Sequence, residues 1–184
     1  MSSTVLFCKK AGAWEVKPLR PDTMEINRNK TVAFSGHRTS KIDIGTAHLC
    51  TQIFHTIRDL YEKYGYDTFI SGMSIGFDTL AALAVLDLQA IYPDVKLVAA
   101  VPFMGHELNY SCEDKETYDE IVAQCTDIMI VSECFSYSAY FERNDYMLSN
   151  CSTLVCYFNG SAGSAKYTVE KAHQEGLHVI NLYP

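Results

Sequence analysis

From Thr31 onward, the sequence alternates short apolar runs, rich in β-branched and aromatic residues, with longer amphipathic stretches. This alternation is typical of repeated β-α units, which build a parallel sheet with helices packed on its faces. Strands are predicted over residues 31–35, 68–71, 96–101, 128–131, 153–158 and 178–182. Several of these runs are almost continuously apolar, as expected for strands covered on both sides. The predicted fold class is therefore α/β: a Rossmann-like three-layer sandwich with a mostly parallel sheet.

The stretches between these runs have helical periodicity. Ile53, Ile57, Leu60, Tyr61 and Tyr64 share one face of a helix predicted over residues 44–64. Further helices are predicted over residues 79–88, 140–150 and 164–175, and around residues 118–125. The helix over 79–88 is apolar on nearly all sides, so we expect it to be the most buried of the set.

The first thirty residues do not follow the alternation. The segments VLFCK and WEVKPL could form a short hairpin or an added edge strand. A partly ordered extension lying on the domain is the alternative, because chain termini are often loose. We therefore divide the chain into an extension over residues 1–30 and one Rossmann-like domain over residues 31–184.

Composition narrows the classes of partner. The chain has 22 acidic and 15 basic residues and a net charge of −7. We therefore do not expect the broad basic surface with which proteins bind nucleic-acid phosphates. A nucleic-acid partner is accordingly disfavoured, although a small basic cleft on an acidic protein can still bind a phosphate. The sequence leaves open whether the protein forms homo-oligomers.

The sequence also bears on compartment and metal binding. No apolar run approaches the length needed to span a bilayer, and the first residues lack the pattern of a secretory leader. The seven cysteines form no CxxC pair and no close Cys/His cluster, so we expect reduced thiols, no metal site and a cytoplasmic location.

In open α/β sheets, ligands bind outside the carboxyl ends of the strands, so the loops after the strands are the places to search. Glycines in these loops allow sharp turns and close approach to a ligand, backbone N–H groups at helix starts attract anions, and arginines bind phosphates. The residues predicted to bind ligand are Gly36, His37, Arg38, Ser71, Gly72, Met73, Gly76, Asp78, Pro102, Phe103, Arg143, Asn144, Gly160, Gly163, Ser164 and Lys166.

Each of these residues also has a structural interpretation. The glycines before the second helix could serve tight helix-sheet packing, and Phe103 could belong to the core. Asp78 could favour the dipole of its helix, or accept a hydrogen bond from a ribose hydroxyl. Arg143 could pair with a neighbouring carboxylate, but we expect Arg143 and Arg38 to converge on one anion. Because GxxxxGK[ST] and GxGxxG are both absent, phosphoryl transfer by a P-loop and the usual hydride-transfer site are disfavoured.

The segments AFSGHR, SGMSIGFDTLAA, AAVPF, RNDYMLSN and GSAGSAKYTVEKA resemble the YpsA-like branch of the SLOG superfamily, named for its Smf/DprA and LOG members. The resemblance covers roughly residues 31–184. It implies a Rossmann-like fold and binding of a nucleotide or a nucleotide-derived ligand, with no other cofactor identified.

Two other branches imply different functions. The LOG branch resembles phosphoribohydrolases and carries PGGxGTxxE, whereas this chain has NGSAGSAKYTVE at the matching place. If the protein is nevertheless a nucleotide N-glycosidase, the candidate catalytic residues are Arg143, Glu107 and Glu170. The DprA branch implies single-stranded DNA binding, which the net charge of −7 does not favour. A binding or sensing domain for a small nucleotide-derived molecule is the function that the sequence favours, and whether the chain is an enzyme stays open.

Overall fold

The computed structural model describes the backbone of Leu6–Lys10 and Ala13–Lys17 and all atoms of residues 24–184. Within the extension, β1 (Leu6–Lys10) and β2 (Ala13–Lys17) pair as an antiparallel hairpin, which forms a sheet of its own. The expectation of a partly ordered extension concerns residues 1–30, of which residues 1–5, 11–12 and 18–23 lie outside the described residues.

Six parallel strands form the main sheet. They are β3 (Thr31–Gly36), β4 (Thr68–Ser71), β5 (Lys96–Phe103), β6 (Asp127–Ser132), β7 (Thr153–Tyr157) and β8 (His178–Asn181). Their order is β6-β5-β4-β3-β7-β8, and every neighbouring pair is parallel. From β3, the chain first builds outward through β4, β5 and β6, and then returns to add β7 and β8 on the other side. The strand order therefore reverses between the neighbouring strands β3 and β7. This is the topological switch point, where α/β sheets bind ligands.

Five helices cover the sheet on both faces. They are α1 (Thr46–Tyr64), α2 (Phe77–Ile91), α3 (Cys112–Gln124), α4 (Tyr137–Ser149) and α5 (Ser164–Gln174). Buried side chains of α1, α2 and α3 share one hydrophobic core with one face of the sheet. Those of α4 and α5 share a second core with the opposite face. The predicted Rossmann-like three-layer sandwich is therefore confirmed. Within the described part of the chain, no helix combines the length and apolarity needed to cross a membrane.

Three element boundaries differ from those predicted in ways that affect the site. Strand β5 continues past Val101 because Phe103 still pairs with Ser132 of β6. Helix α2 begins at Phe77, and α4 begins at Tyr137. The early start of α4 has a local cause, because the Ser136 hydroxyl accepts a hydrogen bond from the Ala139 N–H at 3.0 Å and caps the helix.

Candidate functional site

Two adjoining cavities lie at the carboxyl edge of the sheet, beside the switch point. The larger has a volume of about 390 Å³ and the smaller about 230 Å³. Both are lined by Gly36, Arg38 and Ser164, so the two cavities meet at these residues. The larger cavity is also lined by Ser35, Ser74, Asp78, Phe135, Tyr137, Tyr140, Phe141, Arg143 and Asn144. The smaller is also lined by His37, Ser40, Lys41, Ala162, Gly163 and Ala165.

The loop after β3 packs tightly against the start of α2. A β-carbon added to Gly36 would lie 2.5 Å from Cβ of Phe77, and one added to Gly76 would lie 2.6 Å from the His37 carbonyl oxygen. The same carbonyl accepts a hydrogen bond from the Phe77 N–H at 3.1 Å. Gly36 and Gly76 are therefore needed for backbone packing. Gly36 also lines both cavities, whereas Gly76 lines neither, so a ligand contact by Gly76 stays a prediction.

His37 joins the loops on the two sides of the switch point. Its side chain is buried, and Nε2 lies 2.7 Å from Oδ1 of Asn159 in the loop after β7. Its ring contacts that of Phe158, with 5.6 Å between ring centres. His37 thus fixes the wall of the smaller cavity at the junction of β3 and β7.

Arg38 presents an available positive charge. Its side chain is exposed and lines both cavities. Its guanidinium makes no hydrogen bond or ion pair with the part of the chain that the structure describes. The cation is therefore free to bind an anion in either cavity.

Arg143, by contrast, is buried and already bonded. Its Nε donates to Oδ1 of Asn144 at 2.8 Å, one terminal nitrogen donates to the Gly72 carbonyl, and the other donates to Oγ of Ser74 at 3.3 Å. Burial lowers the pKa of Arg143, and the charge of Asp78 opposes that change. Arg143 and Arg38 line the same cavity, but among the described residues Arg143 has hydrogen-bond partners for its guanidinium and Arg38 has none.

Asp78 lies in the first turn of α2. Of the described residues that line the larger cavity, it is the one with an acidic side chain. Its side chain is 5% exposed. Burial raises the pKa of Asp78 to about 6, while the charge of Arg143 and backbone hydrogen bonds from Ser74 and Gly36 act in the opposite direction. The carboxylate therefore stays ionised at neutral pH.

The loop after β4 turns inward instead of forming an open anion site. A β-carbon added to Gly72 would lie 2.7 Å from Oδ2 of Asp78 and would collide with the guanidinium of Arg143, so an anion has no space there. Ser71 Oγ donates to the Asp78 carbonyl at 2.9 Å and accepts from the Met73 N–H at 3.2 Å. Met73 is buried with a φ of 57°. Ser71, Gly72 and Met73 thus line neither cavity, but Gly72 lies directly beside Asp78 and Arg143, which line the larger one.

Several residues at and after the end of β5 are buried, among them Phe103, His106 and Glu107. Pro102 and Phe103 end the strand, and Phe103 packs edge-on against the rings of His106 and Tyr140. Burial lowers the pKa of His106 to about 4, so its imidazole is neutral at pH 7. Glu107 is 1% exposed and lines neither cavity. Pro102 and Phe103 line neither cavity, so their predicted ligand contacts stay a prediction.

The loop after β7 contributes only its last residues to the site. Gly163 precedes α5 and lines the smaller cavity, and Ser164 lines both. Gly160 is exposed in a turn with a φ of 84° and lines neither cavity. Lys166 and Glu170, one helical turn apart on the exposed face of α5, form an ion pair at 3.6 Å. Neither residue reaches the cavities, so Glu170 is badly placed to act on a ligand there.

Four aromatic side chains form a wall of the larger cavity that sequence reasoning missed: Phe135, Tyr137, Tyr140 and Phe141. Tyr137 is 80% exposed and Phe135 is 57% exposed, which is unusual for rings of this size. Tyr137, Tyr140 and Phe141 have the i, i+3, i+4 spacing that places residues on one helix face. That spacing was a detectable signal, but the predicted start of the helix at residue 140 hid it.

Comparison with known proteins finds relatives of this chain. A UPF0398 protein of Bacillus cereus strain B4264 is 29% identical over 115 residues, covering 61% of this chain and 62% of the relative. A UPF0398 protein of Bacillus thuringiensis strain Al Hakam is 28% identical over the same coverage. The matched region thus spans less than two thirds of these relatives.

Two solved structures share the fold. DNA processing protein A of Streptococcus pneumoniae superimposes with a TM-score of 0.58 and 21% identity, over 82% of this chain and 49% of its own. DNA processing protein A of Helicobacter pylori, a protein with a single-stranded DNA binding mode, gives a TM-score of 0.59 and 16% identity, over 82% and 64%. At these identities, the likeness shows the fold alone.

The family itself is established by the match of residues 32–181 to the YpsA family model, described as the YspA SLOG family. This match includes residues of all six strands of the main sheet and the residues that line both cavities. The chain therefore belongs to the YpsA family of the SLOG group.

Proposed function

We propose that the joined cavities bind a nucleotide or a nucleotide-derived small molecule, in a binding or sensing role. The observation that carries the proposal is the pairing, across one cavity, of an aromatic wall with the unengaged guanidinium of Arg38. Aromatic rings stack on bases of any identity, and arginine binds phosphate through a planar fork of donors. The larger cavity, at about 390 Å³, falls within the range of small-molecule sites.

The positions of the carboxylates favour binding over hydrolysis. Glycosidic cleavage needs a positioned acid or carboxylate beside the sugar. Glu107 and Glu170 line neither cavity, and Asp78 is committed to backbone N–H groups and to the charge of Arg143. We therefore infer that turnover is slow or absent.

Calorimetric titration with the four ribonucleoside monophosphates and diphosphates tests the proposal, with chromatography of each mixture to detect released base. Saturable binding without product supports a binding domain. Release of free base that Asp78→Asn eliminates, while Glu170→Gln retains it, would instead establish an enzyme. The absence of binding by any nucleotide would contradict the proposal.

Single-stranded nucleic acid is a second candidate ligand. The high exposure of Phe135 and Tyr137 favours it, because successive bases stack on exposed rings in single-strand sites. The fold likeness to DNA processing protein A adds to this candidate, and the net charge of −7 opposes it. Titration with a short oligonucleotide separates the candidates, since a strand that extends over both rings should bind more tightly than its mononucleotide.

A further inference from the structure

The two cavities differ in chemistry although they share a border. The larger carries the aromatic wall, and its buried charges, Asp78 and Arg143, interact with each other. The smaller contains no aromatic wall. The charged side chains that line it among the described residues are Arg38 and Lys41, both cations. In a chain with 22 acidic and 15 basic residues, a cavity whose charged lining side chains are both cations favours an anionic occupant.

The two cations lie at different depths of the joined cavities. Arg38 and Ser164 line both cavities, so they lie where the occupant passes from one to the other. Lys41 lines only the smaller cavity, where its Nζ donates to Oγ of Ser161 at 3.1 Å. That hydrogen bond holds the ammonium group against the loop after β7. A group bound beside Arg38 at the border would thus have a second cation beyond it.

We propose that the ligand is a nucleoside carrying at least two linked phosphates, with its base on the aromatic wall, its first phosphate beside Arg38 and its second beside Lys41. This inference rests on the proposed function and adds the phosphate count to it. The volume of the smaller cavity, about 230 Å³, is several times the roughly 30 Å³ that one water molecule occupies in the liquid. The cavity therefore has room for a phosphate.

The test compares the monophosphate and the diphosphate of whichever nucleoside binds best, by calorimetry in magnesium-free buffer. We expect the diphosphate to bind about tenfold or more tightly, as one additional charge-assisted contact provides. Lys41→Gln should remove most of that difference, because it should weaken binding of the diphosphate far more than binding of the monophosphate. Lys63→Gln is the matched control, because Lys63 is an exposed lysine on α1 that lines neither cavity.

The outcomes separate the two proposals. Equal affinities for monophosphate and diphosphate would overturn the phosphate count while leaving nucleotide binding intact. An equal loss of affinity for both ligands in Lys41→Gln would also overturn it, because Lys41 would then not contact the second phosphate. If no nucleotide binds at all, both proposals fall.

Discussion

Asp78 of α2 and Arg143 of α4 meet at Gly72, although their helices cover opposite faces of the sheet. The contact is possible because both side chains extend past the carboxyl end of β4. Arg143 donates to the Gly72 carbonyl, and Asp78 accepts from the backbone N–H groups of Ser74 and Gly36. Asp78 and Arg143, which both line the larger cavity, therefore form a polar connection between the two helical layers.

Adding a side chain at Gly72 should break this connection. We expect Gly72→Ala to lower the free energy of unfolding by about 1–3 kcal/mol, as for an overpacked core site. In the Arg143→Ala background the guanidinium is gone, so the cost of Gly72→Ala should be smaller. Urea denaturation of the wild type, the two single variants and the double variant measures the coupling energy between Gly72 and Arg143. Additive effects would show that Gly72 and Arg143 do not compete for the same space.

Two buried groups should give opposite pH dependence to stability. The pKa of Asp78 is raised from 3.8 to about 6 in the fold, so its contribution is fully present below pH 4 and is lost as pH rises through 6. The pKa of His106 is lowered from 6.5 to about 4, so its contribution is present above pH 6.5 and is lost as pH falls through 4. Between pH 4 and 6 the two trends oppose each other.

Single variants should therefore reveal each trend. Compared with the wild type, Asp78→Asn should make stability rise more steeply from pH 4 to 6, and His106→Gln should make it fall, with slopes changed by up to about 1.4 kcal/mol per pH unit. Urea midpoints measured across this range provide the data. Parallel curves for all three proteins would contradict the environments assigned to both groups.

Arg38 and Arg143 should have separable effects. Because Arg38 is exposed and unengaged, Arg38→Ala should weaken nucleotide binding by about 1.5–3 kcal/mol without altering the unfolding midpoint. Arg143→Ala should lower stability as well, because it leaves the Gly72 carbonyl and Asn144 without their buried donor. Calorimetry and thermal unfolding of both variants test this contrast. An unchanged affinity in Arg38→Ala would remove Arg38 from the binding site.

The aromatic wall offers a prediction with a matched control. Tyr137→Ala should reduce nucleotide affinity by about 1–3 kcal/mol through lost stacking, whereas Tyr137→Phe should retain it. Tyr64 is exposed to a similar degree, at 72%, but lies at the end of α1, so Tyr64→Ala should have no effect. Equal affinities of the Tyr137→Ala and Tyr64→Ala variants would exclude stacking on Tyr137.

The fold could be predicted from the sequence because strands buried on both faces leave continuous apolar runs, as in TVAFS and TFIS. The site was predicted only in part. Gly36, Arg38, Arg143 and Ser164 line the cavities, because loops after parallel strands converge at one edge. Strand ends were harder to predict, since the pairing of Phe103 with Ser132 depends on a distant segment.

The role of each loop residue was harder still. Gly36 and Gly72 both follow a predicted strand and cannot be distinguished by local sequence. In the structure, Gly72 lies against the side chain of Arg143, whereas Gly36 packs on Phe77. The position of Glu170 was also not predictable, because its distance from the cavity depends on where α5 begins and which face it exposes. Such distinctions depend on tertiary packing, which a local pattern does not encode.

The most direct test of nucleotide binding at the switch point is a map of backbone amide chemical shifts in the isotopically labelled protein at saturating nucleotide. The account predicts the largest changes at Gly36, Arg38, Tyr140 and Ser164, which line the larger cavity, and small changes along α1 and α3. Changes centred on α1 or α3, or a spectrum that nucleotide leaves unaltered, would contradict it.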